Sequence, residues 1–392
     1  MNRTPVLRPG WNPVLILVGL VVVSRLLFVE AGALAYVYLP HAWVQVVPLY
    51  PQPSGSYWFQ ALLGPWAHWD GYWYLSIARL GYGGRLQATA FFPLYPLLLR
   101  WLGSTVTAGF LLSLGAFAGG LYGLYRLTAE EFSPRAAWFA VLSLAYFPTS
   151  FYFNSVYPEA LVLFLSVWSF YFARHRRFFL AALIAGIASA ASLYGLLLAI
   201  PLAAYLWHDR RPIRDWVSLV LVPTGLIAYM VKLNASFGNP LTFESVQGDW
   251  GRSFAPFFTT LWEGFMAFLK NLPHALSPFN LFAAGPPLLS LSNVWNFVFL
   301  LGAIVGVVMA IRYLPRAYWA YALVVTALPL FDPSAPAPLM SAPRFFLAAW
   351  PIFVAWGVYL SRRPRALAPY LVVSLAAGLI LVALFTTAHW VA

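Results

Sequence analysis

Apolar runs broken by short polar stretches fill the chain from end to end. A helix that crosses a bilayer needs about 20 such residues. Runs of that character lie near 12–38, 105–126, 136–152, 156–173, 178–192, 193–207, 215–233, 292–311, 317–331, 345–360 and 367–387. Some are short or interrupted by proline, so the pattern predicts about 11 transmembrane helices in one all-α polytopic domain over residues 1–392, with no soluble appendage. The run from Val14 to Val23 continues to Leu39 with no small-residue cleavage site. It therefore reads as a first spanning helix rather than a signal peptide.

The polar breaks alternate in character. With Arg3 and Arg8 on the cytoplasmic side, every second break is basic: Arg126 to Arg135, Arg174 to Arg177, Arg210 to Arg214, Arg312 with Arg316, and Arg362 to Arg365. That alternation follows the positive-inside rule and places the N-terminus in the cytoplasm. The opposite loops are longer, at about 39–104, Pro148 to Pro158, about 234–291, and Phe331 to Arg344. They carry Asp70, Glu159, Glu244, Asp249, Glu263 and Asp332. The cytoplasmic acids Glu130, Glu131, Asp209 and Asp215 sit beside arginines and read as solvated or paired loop charges.

Composition fits this picture. Hydrophobic residues make up 62% of the 392 and charged residues only 9%, where a soluble domain carries nearer a quarter charged. The net charge of +12 is scattered in short clusters that topology explains, and no basic stripe for nucleic acid forms. The absence of Cys excludes disulfides and thiolate metal sites.

The first outer loop holds the strongest chemical signal. Pro65 and Gly81 bracket a predicted interfacial helix with Trp66, Trp69, Trp73, Ile77 and Leu80 on one face, and His68 opposite and exposed to solvent. Asp70 falls at the edge of the apolar face, where a partly desolvated carboxylate can serve as a general base on an amphiphile. The segment Ala90 to Arg100, with Pro93 and Pro96, reads as a re-entrant or juxtamembrane element.

Four blocks in these outer loops resemble the glycosylphosphatidylinositol mannosyltransferase 2 (PIG-V) family and its bacterial relatives. The first is His68-Trp69-Asp70-Gly71-Tyr72-Trp73-Tyr74-Leu75-Ser76-Ile77-Ala78 with Gly81-Tyr82, followed by Ala90-Phe91-Phe92-Pro93-Leu94-Tyr95-Pro96-Leu97. The others are Phe147 to Tyr152 running to Tyr157-Pro158-Glu159-Ala160-Leu161, Gly238-Asn239-Pro240-Leu241 to Trp250-Gly251-Arg252, and Ser341-Ala342-Pro343-Arg344-Phe345-Phe346. The resemblance implies a GT-C-type fold (glycosyltransferase family 76). It also implies transfer of a sugar, typically mannose, from a polyprenyl-phosphate carrier to a glycolipid, glycan or protein acceptor at the extracytoplasmic face. The reaction would invert the anomeric centre, with Asp70 as base. His68 stands where the family often has Arg, and Trp73 where eukaryotic members often have His, which bears on the acceptor.

Further candidates follow from residue chemistry. Arg344 suits bidentate binding of the donor phosphate, or snorkels at a helix end. Glu159 either orients a sugar or complements a helix N-terminus. Asp249 and Arg252 flank Trp250 as a sugar-binding set or a local ion pair, and Trp69, Trp73 and Tyr74 join the substrate-binding candidates. No cofactor and no metal is expected. The outer histidines lack ligand spacing, and Asp70 with Asp249 are the acids considered for a divalent cation. No nucleotide-binding fingerprint occurs, which favours a lipid-linked donor. The competing expectations are a lipid-linked sugar flippase or transporter, which needs ionisable groups at mid-span, and a non-catalytic membrane subunit.

Overall fold

The computed structural model describes residues 12–42, 55–275, 282, 289–335 and 337–391. Arg3, Arg8, and the parts of the first and third outer loops at 43–54 and most of 276–288 lie outside the described residues. The described chain is helical, with isolated bridges at Arg252–Ser334 and Ser334–Ala337 but no strand.

The elements that frame the site are α1 (Pro13–Tyr38), α2 (Asp70–Leu80), α3 (Leu94–Trp101), α4 (Val106–Glu131), α5 (Pro134–Ala145) and α6 (Glu159–Arg174). They are followed by α7 (Phe257–Ala275), α8 (Leu289–Tyr313), α9 (Pro351–Arg362) and α10 (Leu367–Thr386). Proline at N1 opens α1, α5 and α9, where its missing N–H costs nothing. Ser133 caps α5 by accepting from the Ala136 N–H at 3.1 Å.

Five helical stretches among the described residues are long and apolar enough to cross a bilayer: Pro13–Tyr38, Val106–Glu131, Ile213–Phe237, Leu291–Tyr313 and Pro364–Thr386. A sixth is counted if Ala342–Ala348 and Pro351–Arg362, bent by 75° to each other, form one span. The other predicted spans are shorter helices. The run at 136–152, for example, is helical only to Ala145 and continues as a 3-10 turn at Ser150–Asn154, after Pro148 has interrupted the ladder. The chain is a multi-pass membrane protein.

Two packing features hold the helices together around the site. α4 lies along α6, and α1 along α10. A Cβ at Gly109 of α4 would stand 2.7 Å from the Val156 side chain, so only glycine lets the segment before α6 press this close. Arg25, near the middle of α1, is buried, and its guanidinium donates to the carbonyls of Ala145 at 2.5 Å and Ser150 at 2.6 Å. It also lies 4.6 Å from the Phe117 ring centroid. This mid-span charge caps the C-terminus of α5 and ties it to α1.

The predicted helix from Pro65 to Gly81 is two pieces. A 3-10 turn covers Gly64–Ala67, and α2 starts only at Asp70. Between them Trp69 has φ 59° and ψ −118°, a conformation that no helix accommodates and that residues with a Cβ rarely adopt. The expected stop at Gly81 holds, with φ 68°. Most of α2 is buried within the protein, while Leu80 is exposed. His68 is also buried rather than solvated; its Nδ1 lies 3.0 Å from the Phe385 carbonyl of α10.

Candidate active site

A cavity of about 760 Å³ opens where α2, the start of α6 and the segments 244–254 and 328–348 meet. Four of the six predicted outer acids line it: Asp70, Glu159, Glu244 and Asp332. The cations on its wall are Arg252 and Arg344. A volume of this size, with apolar walls and few polar groups, suits a ligand larger than a free sugar.

Arg344 is the centre of the charged wall. Its Nη1 donates to Asp70 Oδ2 at 2.5 Å, and its Nε lies 3.1 Å from Glu159 Oε1. The three side chains are only 9, 21 and 13% exposed, so the charges are compensated by each other rather than by water. The guanidinium also sits 5.2 Å from the Tyr157 ring centroid and 5.0 Å from that of Phe345. Its short helix, Ala342–Phe345, begins after Ser341 in the left-handed region at φ 67°, and the Thr149 hydroxyl donates to the Pro343 carbonyl at 3.0 Å. Asp70 directly follows a residue with positive φ, and Arg344 lies three residues after another, as strained backbone at functional sites often does. The pair was not foreseen: Asp70, Glu159 and Arg344 were separate candidates in three different blocks.

Aromatic side chains form much of the remaining wall. Trp73 stacks on Phe91 with centroids 5.5 Å apart and planes at 13°, and Trp250 meets both rings edge-on at 5.6 and 5.7 Å. Trp69 meets Trp390 edge-on at 4.7 Å. The indole N–H groups of Trp69, Trp250 and Trp390 are buried with no hydrogen-bond partner in the protein. Tyr74 lines the cavity and packs edge-on against Phe91 and Tyr95.

Asp249 and Arg252 do not act together. Asp249 is absent from the cavity wall and accepts from Gln87 Nε2 at 2.9 Å on an exposed face. Arg252 instead reaches the carbonyls of Asp332 at 3.0 Å and Met340 at 3.1 Å, with the Asp332 carboxylate at 3.6 Å. It is a strut between the 247–252 turn and the 332–340 segment. Burial pulls the Arg252 guanidinium below its usual range against the pull of Asp332, and burial likewise raises the Asp332 carboxyl. Asp70 and Asp249 therefore face different partners, and among the described residues no three His, Asp or Glu side chains converge as a metal site would need.

Tyr157, Phe91, Phe345 and Trp390 belong to the site without having been singled out for it. Tyr157, Phe91 and Phe345 stand inside the blocks quoted above, so their blocks carried the signal. Trp390 gave none beyond its place just after the last apolar run.

No family model and no curated protein matches the chain. Among solved structures, its fold is similar to that of ArnT from Cupriavidus metallidurans bound to undecaprenyl phosphate, with a TM-score of 0.53 and 14% identity. The likeness covers 92% of this chain and 63% of that one, so the chain spans under two thirds of the ArnT length. At this identity the likeness is one of fold, and it agrees with the GT-C-type architecture expected.

Proposed function

We propose that this chain is an inverting membrane glycosyltransferase that moves a sugar from a polyprenyl-phosphate carrier to an acceptor hydroxyl, with Asp70 as general base. The observation that carries the reading is the Arg344 guanidinium bridging Asp70 and Glu159 on the wall of an aromatic-lined cavity. The fold shared with a protein solved with undecaprenyl phosphate supports a lipid-linked donor, and the four sequence blocks favour mannose and a PIG-V-like relationship. The same blocks lie in loops opposite the basic ones, which favours a reaction on the extracytoplasmic face.

The chemistry follows from the charges. An acceptor hydroxyl beside Asp70 gives its proton to the carboxylate as its oxygen bonds to the anomeric carbon. The bond from that carbon to the phosphate oxygen breaks on the opposite face, and its electron pair leaves with the lipid phosphate. Arg344 donates Nη1 to Asp70 and pairs with Glu159 through Nε as a 3.1 Å ion pair without a hydrogen bond, which leaves Nη2 for a phosphate oxygen. Preorganised charge at a leaving group is the largest usual contribution to such catalysis. Glu159 holds Arg344 from its far side, and the Trp73, Phe91 and Trp250 rings offer flat apolar faces to sugar and isoprenoid. A flippase would place ionisable groups along the spans; of Arg25, Glu30 and Lys232, Arg25 is engaged by structural carbonyls, and Glu30 and Lys232 are exposed on the surfaces of their helices.

The test uses purified protein in nanodiscs with a mixed lipid extract. Labelled polyprenyl-phosphate mannose should yield labelled product, and nucleotide-linked mannose should not. Transfer from the nucleotide donor alone would overturn the reading. An impermeant thiol reagent should label Leu86→Cys, an exposed position next to α2, from outside the cell.

A further inference from the structure

We propose that Tyr157 is a positioning residue for this site: its hydroxyl holds the strained turn at Trp69 and so aims Asp70 at Arg344 and the cavity. The proposal rests on the functional reading above. Tyr157 Oη donates to the His68 carbonyl at 2.8 Å and accepts from the Asp70 N–H at 3.1 Å. One hydroxyl therefore bridges the peptide groups on either side of Trp69, the residue at φ 59°. Asp70 is the first residue of α2, so the α-helical ladder of α2 supplies no acceptor for its N–H. Without Tyr157 the turn would lose the bridge across its strained residue.

Tyr157 is itself held hard. The Val156 N–H donates to the Trp66 carbonyl at 2.9 Å, which pins the two segments side by side one turn earlier. Ser113 Oγ of α4 donates to the carbonyl of Ser155 at 2.7 Å and reaches that of Tyr157 at 3.3 Å. Tyr95 Oη of α3 lies 2.8 Å from the same Ser113 hydroxyl. Gly109 lets Val156 approach α4. The ring of Tyr157 then lies under Arg344. A single side chain thus fixes the carboxylate through its hydroxyl and supports the guanidinium through its ring. The residue also sits two positions before Glu159, so one rigid segment sets both carboxylates that flank Arg344.

Tyr157→Phe separates the two roles, because it keeps the ring under Arg344 and removes both hydrogen bonds. Hydrogen exchange of a peptide covering 66–72 should speed up in this variant, while a peptide within 162–172 of α6 stays protected. Misplacing a catalytic group by about 1 Å costs on the order of 100-fold. The variant should therefore lose about that factor in kcat, with the KM for lipid-linked sugar within about twofold. Unchanged exchange at 66–72, or faster exchange with wild-type kcat, overturns the proposal. If wild type and variant both transfer no sugar, the functional reading fails, and the exchange result still decides whether the clamp exists. If Tyr157→Phe does not fold, Trp69→Gly is added, since glycine adopts positive φ freely. Recovered folding of that double variant supports the clamp, and no recovery overturns it.

Discussion

Replacing Arg344 with lysine keeps the charge and removes the planar fork. The guanidinium donates a hydrogen bond to Asp70 at 2.5 Å and holds Glu159 in a 3.1 Å ion pair whose Nε makes no hydrogen bond. An ammonium is one compact centre on a flexible stem and holds only one of them well. A hydrogen bond to a charged group contributes about 1.5–3 kcal/mol. At about 1.4 kcal/mol per factor of ten, losing one should lower kcat/KM for the lipid-linked donor by about 10- to 150-fold. Arg344→Gln goes further and leaves two carboxylates facing each other with little water. Breaking a buried pair in this way costs about 3–5 kcal/mol of stability. Adding Glu159→Gln to Arg344→Gln removes one stranded charge, so the double variant should melt higher than Arg344→Gln alone. Steady-state transfer and thermal unfolding of the purified proteins in one detergent measure both effects. Wild-type rates in Arg344→Lys, or a double variant no more stable than the single, would refute the bridging role.

Three other outcomes are expected. Trp73→Ala removes one ring of the stacked wall; at about 0.5–1.5 kcal/mol for an aromatic contact, KM for the donor should rise about 2- to 12-fold with kcat little changed, as initial rates over a donor series would read. His68 is kept neutral by burial, which lowers its pKa from 6.5 to about 4. The unfolded chain therefore binds the extra proton first, so this contribution to stability is full above pH 6.5 and is lost as pH falls towards 4; comparing thermal midpoints across that window, His68→Asn should show a flatter decline than wild type. Asp249→Asn, outside the cavity and bonded to Gln87, should keep transfer rates within about twofold.

Hydropathy located the five long apolar helices, because lipid demands long runs, but left α7 (Phe257–Ala275) inside a predicted loop. The helix stop at Gly81 was legible, whereas the run at 136–152 was read through Pro148 although its helix ends at Ala145. The break at Trp69 was not legible, since an aromatic in a hydrophobic period reads as helix, and the Tyr157 hydroxyl that bridges the turn lies 87 residues beyond Asp70 in sequence. The same distance problem hid the Asp70–Arg344 pair, whose partners stand 274 residues apart. Each was visible as a residue type in an outer loop, but only folding joined them. Arg252 shows the converse: the neighbouring acid at Asp249 suggested a local pair, and tertiary structure turned the guanidinium to Asp332 instead. His68 was misplaced for the reason Trp69 was, because a continuous helix would have turned it outward.

The proposed reaction depends most directly on Asp70 as the base. Asp70→Asn keeps the shape and an oxygen for Arg344 but has no carboxylate to take the acceptor proton. At saturating lipid-linked sugar, with thermal stability checked in the same preparation, kcat should fall by about 10²- to 10⁴-fold while donor KM stays near that of wild type. An Asp70→Asn enzyme that transfers sugar at the wild-type rate would contradict it.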